Sequence, residues 1–383
     1  MNVVVTKEEF SKALQLVQSA VSKRTTMPIL SNLKISADQK SNTIQLTASD
    51  LELSAVCSVK ASVKRSGSTT VSAKVFGDII RELPEGDITL VLGEGERLDV
   101  HSKGSKFKIV GISADEYPTL PGLACVASDI VPARVLLEMV NRTLYAVSLD
   151  ETRFNLNGVC FENLTGEKSA KGKKRETEGA TLRLVATDGH RLAIATRPVA
   201  SLTFSGRVIV PRKALSEIRR VLELEVDKDV AFGIQEGFFV LEASDFKLAA
   251  RLIEAQYPDY SQVLPQKMGV KATLNTKELT HALRRVMLIV TDREKGVRLS
   301  FAPGTLRITS SSPELGEASE ELPVAYDGAV ATIGFNAGYL LDVANALGDS
   351  ETMTFELNGE LGPGKFFSEQ DESSIAIVMP MRL

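Results

Sequence analysis

Val185-Ala186-Thr187-Asp188-Gly189-His190 reads as a strand running into a polar corner, and the chain contains that arrangement three times. The counterparts are Thr47-Ala48-Ser49-Asp50-Leu51-Glu52 and Thr309-Ser310-Ser311-Ser312-Pro313-Glu314. Working outward from each corner, the same parts recur in the same order. A helical stretch comes before it, over Lys7 to Val21, Pro132 to Val147 and Thr276 to Val290. In the first of these Phe10, Leu14, Val17 and Val21 share one face, while Lys12, Gln15 and Ser19 fall away from it. A second helix follows the corner, beginning at Ser72-Ala73-Lys74-Val75-Phe76, Pro211-Arg212-Lys213-Ala214-Leu215 and Asn336-Ala337-Gly338-Tyr339-Leu340. Ser72 and Asn336 suit an N-cap, and Pro211 suits a first helical turn. Each copy closes with a hairpin, over Arg97 to Val110, Phe238 to Leu252 and Lys365 to Val378.

The spacing supports true repeats. Asp50 and Asp188 are 138 positions apart, and Asp188 and Ser312 are 124 apart. The surplus in the first interval has a visible source in Gly166 to Gly179, a charged, apolar-poor stretch bounded by glycines, which reads as a solvated loop inserted between two strands. Proline-rich connectors, Glu116-Tyr117-Pro118-Thr119-Leu120-Pro121 and Gln256-Tyr257-Pro258-Asp259-Tyr260 through Leu264-Pro265, end the first two copies. The expected domains are therefore 1–124, 125–256 (with the charged insertion near 164–179) and 257–383, each of ordinary domain size.

Composition narrows the function. Of 383 residues 43% are hydrophobic, enough for sizeable cores. No apolar run reaches the roughly 18 residues of a spanning helix, and the start, Met1-Asn2-Val3-Val4-Val5-Thr6-Lys7, does not read as a signal peptide. Cys57, Cys125 and Cys160 are scattered and odd in number, which fits buried thiols in a reducing cytoplasm better than disulfides or a metal site. The net charge of −4 argues against a protein that grips nucleic acid by charge alone. No phosphate-binding loop and no nucleophile elbow is present. Asp188-Gly189-His190 is the most enzyme-like cluster, but Asp-Gly is a strong turn signal, and His101 and His281 lie in other repeats. The expectation is no catalytic residue, no metal and no cofactor. If Asp188 and His190 formed an active site, His190→Ala would abolish a turnover.

The chain ends in Ile377-Val378-Met379-Pro380-Met381-Arg382-Leu383, apolar almost to its last position. Ile375 to Val378 reads as a strand. The residues after it are either the end of that strand closing a sheet, or surface walls whose methionines adapt to partners.

Taken together, the threefold repeat, Thr187-Asp188-Gly189-His190-Arg191-Leu192, the Tyr257-Pro258-Asp259-Tyr260 linker and the terminal Val378-Met379-Pro380-Met381-Arg382-Leu383 resemble the bacterial DNA sliding clamps, the beta subunits of DNA polymerase III, along the whole chain. That resemblance implies an α+β fold of three similar clamp domains, each with two helices backed by antiparallel sheet, with two chains closed head to tail into a ring around duplex DNA. It implies a processivity factor in the cytoplasm, associated with the nucleoid during replication, that tethers the replicative polymerase catalytic subunit, the clamp loader, repair polymerases and other clamp-motif proteins, with no membrane role. The helix pairs would line the ring's hole and present Lys12, Lys74, Arg81, Arg134, Arg142, Arg212, Lys213, Arg219, Lys277 and Arg284. Of the basic residues, Arg24, Lys74, Arg81, Arg153, Arg212 and Lys213 would face DNA. A ring held by topology needs no tight ionic grip, which accommodates the negative net charge.

The resemblance also implies a peptide-binding groove at Leu156, Thr187, Gly189, His190, Arg191, Leu192, Pro258, Val263, Val378, Met379, Pro380, Met381, Arg382 and Leu383. Gln262 departs from the family, which often has a basic residue there. The subunit contact would use Phe107 and Ile109 of the first domain and Leu288 and Ile289 of the third. Lys106 and Lys108 would lie opposite an acidic strand carrying Glu314, Glu317, Glu320 and Glu321. Phe107 and Ile109 read equally well as core. A monomeric three-repeat adaptor is the competing architecture, and sedimentation separates the two.

Overall fold

The computed structural model of the chain describes all residues except 23–25, 166–178, 266–268, 292–294, 349, 358, 360, 361 and 383. Arg24, Leu383 and all but the last residue of the charged Gly166–Gly179 stretch lie outside the described residues.

The helices follow from local chemistry. Helix α1 (Lys7–Val17) starts where Thr6 accepts from the Glu9 amide at 3.5 Å, and it buries Phe10, Ala13, Leu14 and Val17. Its partner α2 (Ala73–Glu82) is capped by Ser72, and Phe10 meets Phe76 edge-on at 5.8 Å. The others are α3 (Ala133–Thr143), α4 (Arg212–Leu224), α5 (Thr276–Val286) and α6 (Ala337–Ala346). Asn336 caps α6 by accepting from the Gly338 and Tyr339 amides at 2.9 and 3.3 Å.

The first helix of each repeat is shorter than its apolar periodicity suggests. In all three the α-helix gives way to a tight 3-10 turn (Gln18–Ala20, Leu144–Ala146, Met287–Ile289), and Val21, Val147 and Val290 are already extended at ψ 134, 137 and 131°. A β-branched residue is at ease in that backbone. Pro132 and Pro211 end strands rather than open helices, and both strands lie at the edge of their sheets, where a proline's missing N–H forfeits no ladder bond.

The chain divides into two compact units that do not coincide with the repeats. The first unit holds residues 1–136 and 213–252. Among the described residues it carries an antiparallel sheet of thirteen strands. The joint in that sheet is between repeats: Leu53–Lys60, which follows the first corner, pairs with Phe246–Arg251, the closing strand of the second repeat, with Leu248 opposite Ala55. The second unit holds residues 137–212 and 253–383. Its eight-stranded sheet contains the same joint one repeat later. Arg191–Val199, which follows the second corner, pairs with Asp371–Val378, the closing strand of the third repeat, with Leu192 opposite Ile377. A separate sheet of four, in the order Gly316–Pro323, Thr305–Ser312, Gly296–Ala302 and Ala331–Asn336, packs with α5 and α6 around Phe301, Phe335, Phe355 and Phe366.

Applied a third time, the same joint would pair Gly316–Pro323, which follows the third corner, with Ser105–Ile112, which closes the first repeat. Among the described residues both strands have a free edge: Gly316–Pro323 pairs only with Thr305–Ser312, and Ser105–Ile112 meets Gly67–Ser72 only at Gly111 and Ile112.

The residues expected at a subunit contact divide accordingly. Phe107 is 40% exposed and Leu288 76% exposed, whereas Ile109 is buried at 7%. Ile109 belongs to the core because it sits beside the crossing to Gly67–Ser72, while Phe107 lies towards the open end of the strand. Glu320 and Glu321 are each paired within the chain, with Arg285 at 2.7 Å and with Arg307. Arg142, expected on a polar helix face, is buried instead: it lies 3.8 Å from Glu138 and donates to the Ala346 carbonyl oxygen.

Candidate functional site

The corner at 187–192 is built by its own side chains. Asp188 accepts from the His190 and Arg191 amides at 2.9 and 3.0 Å. Thr187 accepts from the Gly189 amide at 3.1 Å and donates to the Arg191 carbonyl oxygen at 2.6 Å. Gly189 takes φ +89°, where a side chain is strained. The first repeat closes its corner in the same way, with Asp50 accepting from Glu52 and Leu53 and Ser49 accepting from Leu51. There Leu51 occupies the left-handed position at φ +77°. The Asp188 carboxylate is thus engaged in a turn, which accounts for the Asp-Gly-His cluster without chemistry.

Arg191 fixes the corner to the rest of its unit. Its guanidinium lies 2.9 Å from Asp188 and 2.6 Å from Asp342 of α6, and it donates to the Tyr145 carbonyl oxygen at 2.7 Å. It also lies over the rings of Tyr339 and Tyr145, 4.4 and 5.4 Å from their centroids. His190 stacks with the same Tyr339 ring, 6.5 Å between ring centres. All three guanidinium nitrogens of Arg191 bond within the unit and its side chain is 10% exposed, so its role is to hold the wall in place.

Beside this corner lies a groove of about 270 Å³ lined by Leu156, Thr187, Gly189, His190, Arg191, Leu192, Pro258, Asp259, Tyr260, Val263, Ile377 and Met379. Its floor is the sheet face where Leu192 and Ile377 pair, packed with Leu156, Cys160, Val185, Tyr257 and Tyr260. The Tyr-Pro-Asp-Tyr linker is fastened over that face. The Tyr257 hydroxyl donates to the Val185 carbonyl oxygen at 3.3 Å, and the Tyr260 hydroxyl donates to Glu162 at 2.6 Å. Burial and the Glu162 hydrogen bond push the Tyr260 phenol up to about 12, so it stays a donor. Apolar walls with few polar groups suit an extended segment whose leucine or aromatic side chains fill the space.

The tail is divided between two places. Val378 is fully buried in the core around α5 and α6 and does not line the groove. Strand alternation turns Ile377 and Met379 to the groove face and Val378 to the other. The Met379 amide donates to the His190 carbonyl oxygen at 2.9 Å, and the Met381 amide donates to the Gly334 carbonyl oxygen at 2.8 Å. That second bond carries Met381 and Arg382 away to a separate cleft, with half-buried Pro380 between. The residues not foreseen are Asp259, Tyr260, Ile377, Tyr339 and Asp342. Period-two alternation flags Ile377 as the neighbour of Met379, whereas nothing in the sequence links Asp342 to Arg191.

The basic residues expected to face DNA are exposed wherever described: Lys74 and Arg81 on α2, Arg212 and Lys213 at the start of α4, and Arg153. Several have acidic neighbours, Arg81 with Asp78 at 3.1 Å, Lys213 with Asp50, and Arg153 with Asp150 at 3.6 Å. The three thiols are free and buried, and burial pushes those of Cys57 and Cys160 up to about 12. Among the described residues no cluster of His, Cys, Asp and Glu could hold a metal ion, and no helix is long and apolar enough to cross a membrane.

Comparison with known proteins agrees with this architecture. Three models of the DNA polymerase III beta subunit match in succession, the N-terminal domain over residues 1–121, the central domain over 130–259 and the C-terminal domain over 261–382. The beta sliding clamp of Escherichia coli (strain K12) is 34% identical over 384 aligned positions, covering all of both chains. Among solved structures, a C. crescentus beta sliding clamp aligns with a TM-score of 0.90 at 30% identity, covering 100% of this chain and 99% of that one. A Pseudomonas aeruginosa DNA polymerase III subunit beta bound to griselimycin aligns at 0.89 and 31% identity over the whole of both. With three clamp domains and full-length likeness to these proteins, the chain belongs to the DNA polymerase III beta subunit family, the sliding clamps that act as processivity factors.

Proposed function

We propose that two copies of this chain close head to tail into a ring around duplex DNA, and that the groove at Leu192, Ile377 and Met379 tethers the replicative polymerase, the clamp loader and repair polymerases by short apolar segments. The observation that carries the ring is the pair of free strand edges. Twice within the chain, the strand after a corner pairs with the closing strand of the next repeat. Among the described residues the third pairing has no partner inside the chain, and a second copy would supply it twice over, which closes the assembly. Exposed Phe107 and Leu288, with half-buried Ile289, would meet at that seam, and Ile109 would support it from the core. Lys106 and Lys108 would face Glu314 and Glu317, which have no ion pair among the described residues. Covering both edges also removes two templates for aggregation.

In this reading the domains run 1–124, 125–256 and 257–383. Arg24, Lys74, Arg81, Arg153, Arg212 and Lys213 contact phosphates without reading sequence, and their acidic neighbours keep the grip weak enough for sliding. The protein acts by holding rather than by catalysis, and it works in the cytoplasm on replicating DNA. The test is retention. Protein assembled on nicked circular DNA should stay bound through gel filtration and run off once the circle is cut. Equal loss from circular and linear DNA would refute encirclement.

A further inference from the structure

The tail leads from the groove into a second cleft, of about 700 Å³, on the four-stranded sheet. Met379 lines the groove, and two residues later Met381 bonds to Gly334, the residue paired with Arg298. Lys295, Arg298 and Arg382 line the cleft and, among the described residues, none of the three has an ion-pair partner. The same sheet region treats its other cations differently, with Arg285 and Arg307 each clasping a glutamate. The cleft's own acid, Glu317, lies on the edge strand assigned above to the subunit seam. Among the described residues the cleft lining therefore carries three cations against one acid, a surplus of positive charge that an anionic group would balance.

We propose that this cleft is a second binding site, continuous with the groove, that takes an acidic segment flanking a client's apolar motif. This rests on the groove reading above. The groove would supply anchorage through apolar burial, while the cleft would select among clients by charge and speed their encounter. Because Lys295, Arg298 and Arg382 are exposed, each contact is screened and modest, so the gain is a few-fold per client rather than a new affinity class.

The test uses the full-length protein and three fluorescein-labelled synthetic peptides sharing one leucine- and phenylalanine-containing core. One has neutral glutamine flanks, one a run of glutamates before the core, and one the same run after it. Anisotropy titration should find that one acidic-flanked peptide binds about three- to tenfold tighter than the neutral one. That advantage should vanish with raised salt and in the Lys295→Ala/Arg298→Ala double variant, whose affinity for the neutral peptide should be unchanged. The inference is overturned if neither acidic flank improves binding, if the double variant keeps the full advantage, or if the variant instead loses DNA retention or dimerises less. Failure of the neutral peptide to bind the parent protein would mark a different fault, in the groove itself, and would remove this site with it.

Discussion

Arg191 shows how much of the groove depends on one side chain that never needs to touch a client. It is 10% exposed, forms two ion pairs and lies over two aromatic rings. Arg191→Ala should cost about 2–4 kcal/mol of stability, because Asp188 keeps a charge in a site that is nearly closed to water. Arg191→Lys should rescue little of this, since an ammonium cannot make a planar fork and stack at once. Thermal melting reports the first effect. Peptide titration should show a weakened groove in both variants, while His190→Ala should leave the melt near that of the parent. The contacts of Arg191 also mark a limit of the sequence. The Asp188 turn is local and was readable from Asp-Gly alone. The partners Tyr145, Tyr339 and Asp342 come from distant segments and carry no local signature. The burial of Arg142 has no local signature for the same reason: it depends on the carbonyl of Ala346, some two hundred positions away.

At the scale of elements, the strand Asp371–Val378 sets where the tail goes. Its first residue is fixed by Arg197, which pairs with Asp371 and Glu138, both at 2.6 Å. Burial would raise the Asp371 carboxyl, but hydrogen bonds from Ser373, Ser374 and Arg197 outweigh it and hold the group below the ordinary carboxylate range. The stability that Asp371 contributes is therefore complete above the unfolded value of about 3.9 and is lost as pH falls through its lower folded value. Asp371→Asn should lower the melting temperature at neutral pH and narrow its gap to the parent as pH drops below about 4. A gap unchanged by acid would contradict this. At the other end, removing Met379 through Leu383 should abolish binding of an apolar peptide and leave the melt near normal, because Val378 is the last residue of the core and survives the cut. Truncated hot-spot residues often cost about 2 kcal/mol or more each. A normal melt with normal peptide affinity would refute the groove. The helices, corners and closing hairpins were legible because capping, periodicity and turn chemistry are local. The tail was legible only in part: it reads as one apolar run, but strand alternation and the Met381 bond distribute it among a core, a groove and a cleft.

At the scale of the molecule, the repeats and the contact units differ because strands pair across repeat boundaries, a non-local choice that spacing alone does not encode. The same fact gives the sharpest test of assembly. Leu288 is 76% exposed in the single chain, on the tight turn that follows α5. Substituting an exposed residue away from caps and cores usually changes stability by no more than about 0.5 kcal/mol. Leu288→Asp should therefore melt as the parent protomer does. At a seam with Phe107 of a second copy, however, the new carboxylate would be buried without a partner, at a cost of several kcal/mol. Adding Ile289→Asp should strengthen the effect, since half-buried Ile289 is the next residue of the same turn. Sedimentation should find a folded monomer at concentrations where the parent is a dimer. That monomer should still bind an apolar peptide, because every residue of the groove lies within one unit of one chain. It should no longer be retained on nicked circular DNA, since an open chain cannot be topologically linked. A variant that stays dimeric would remove Leu288 from the seam. One that is monomeric yet retained on circles would show that charge, and not closure, holds the protein to DNA.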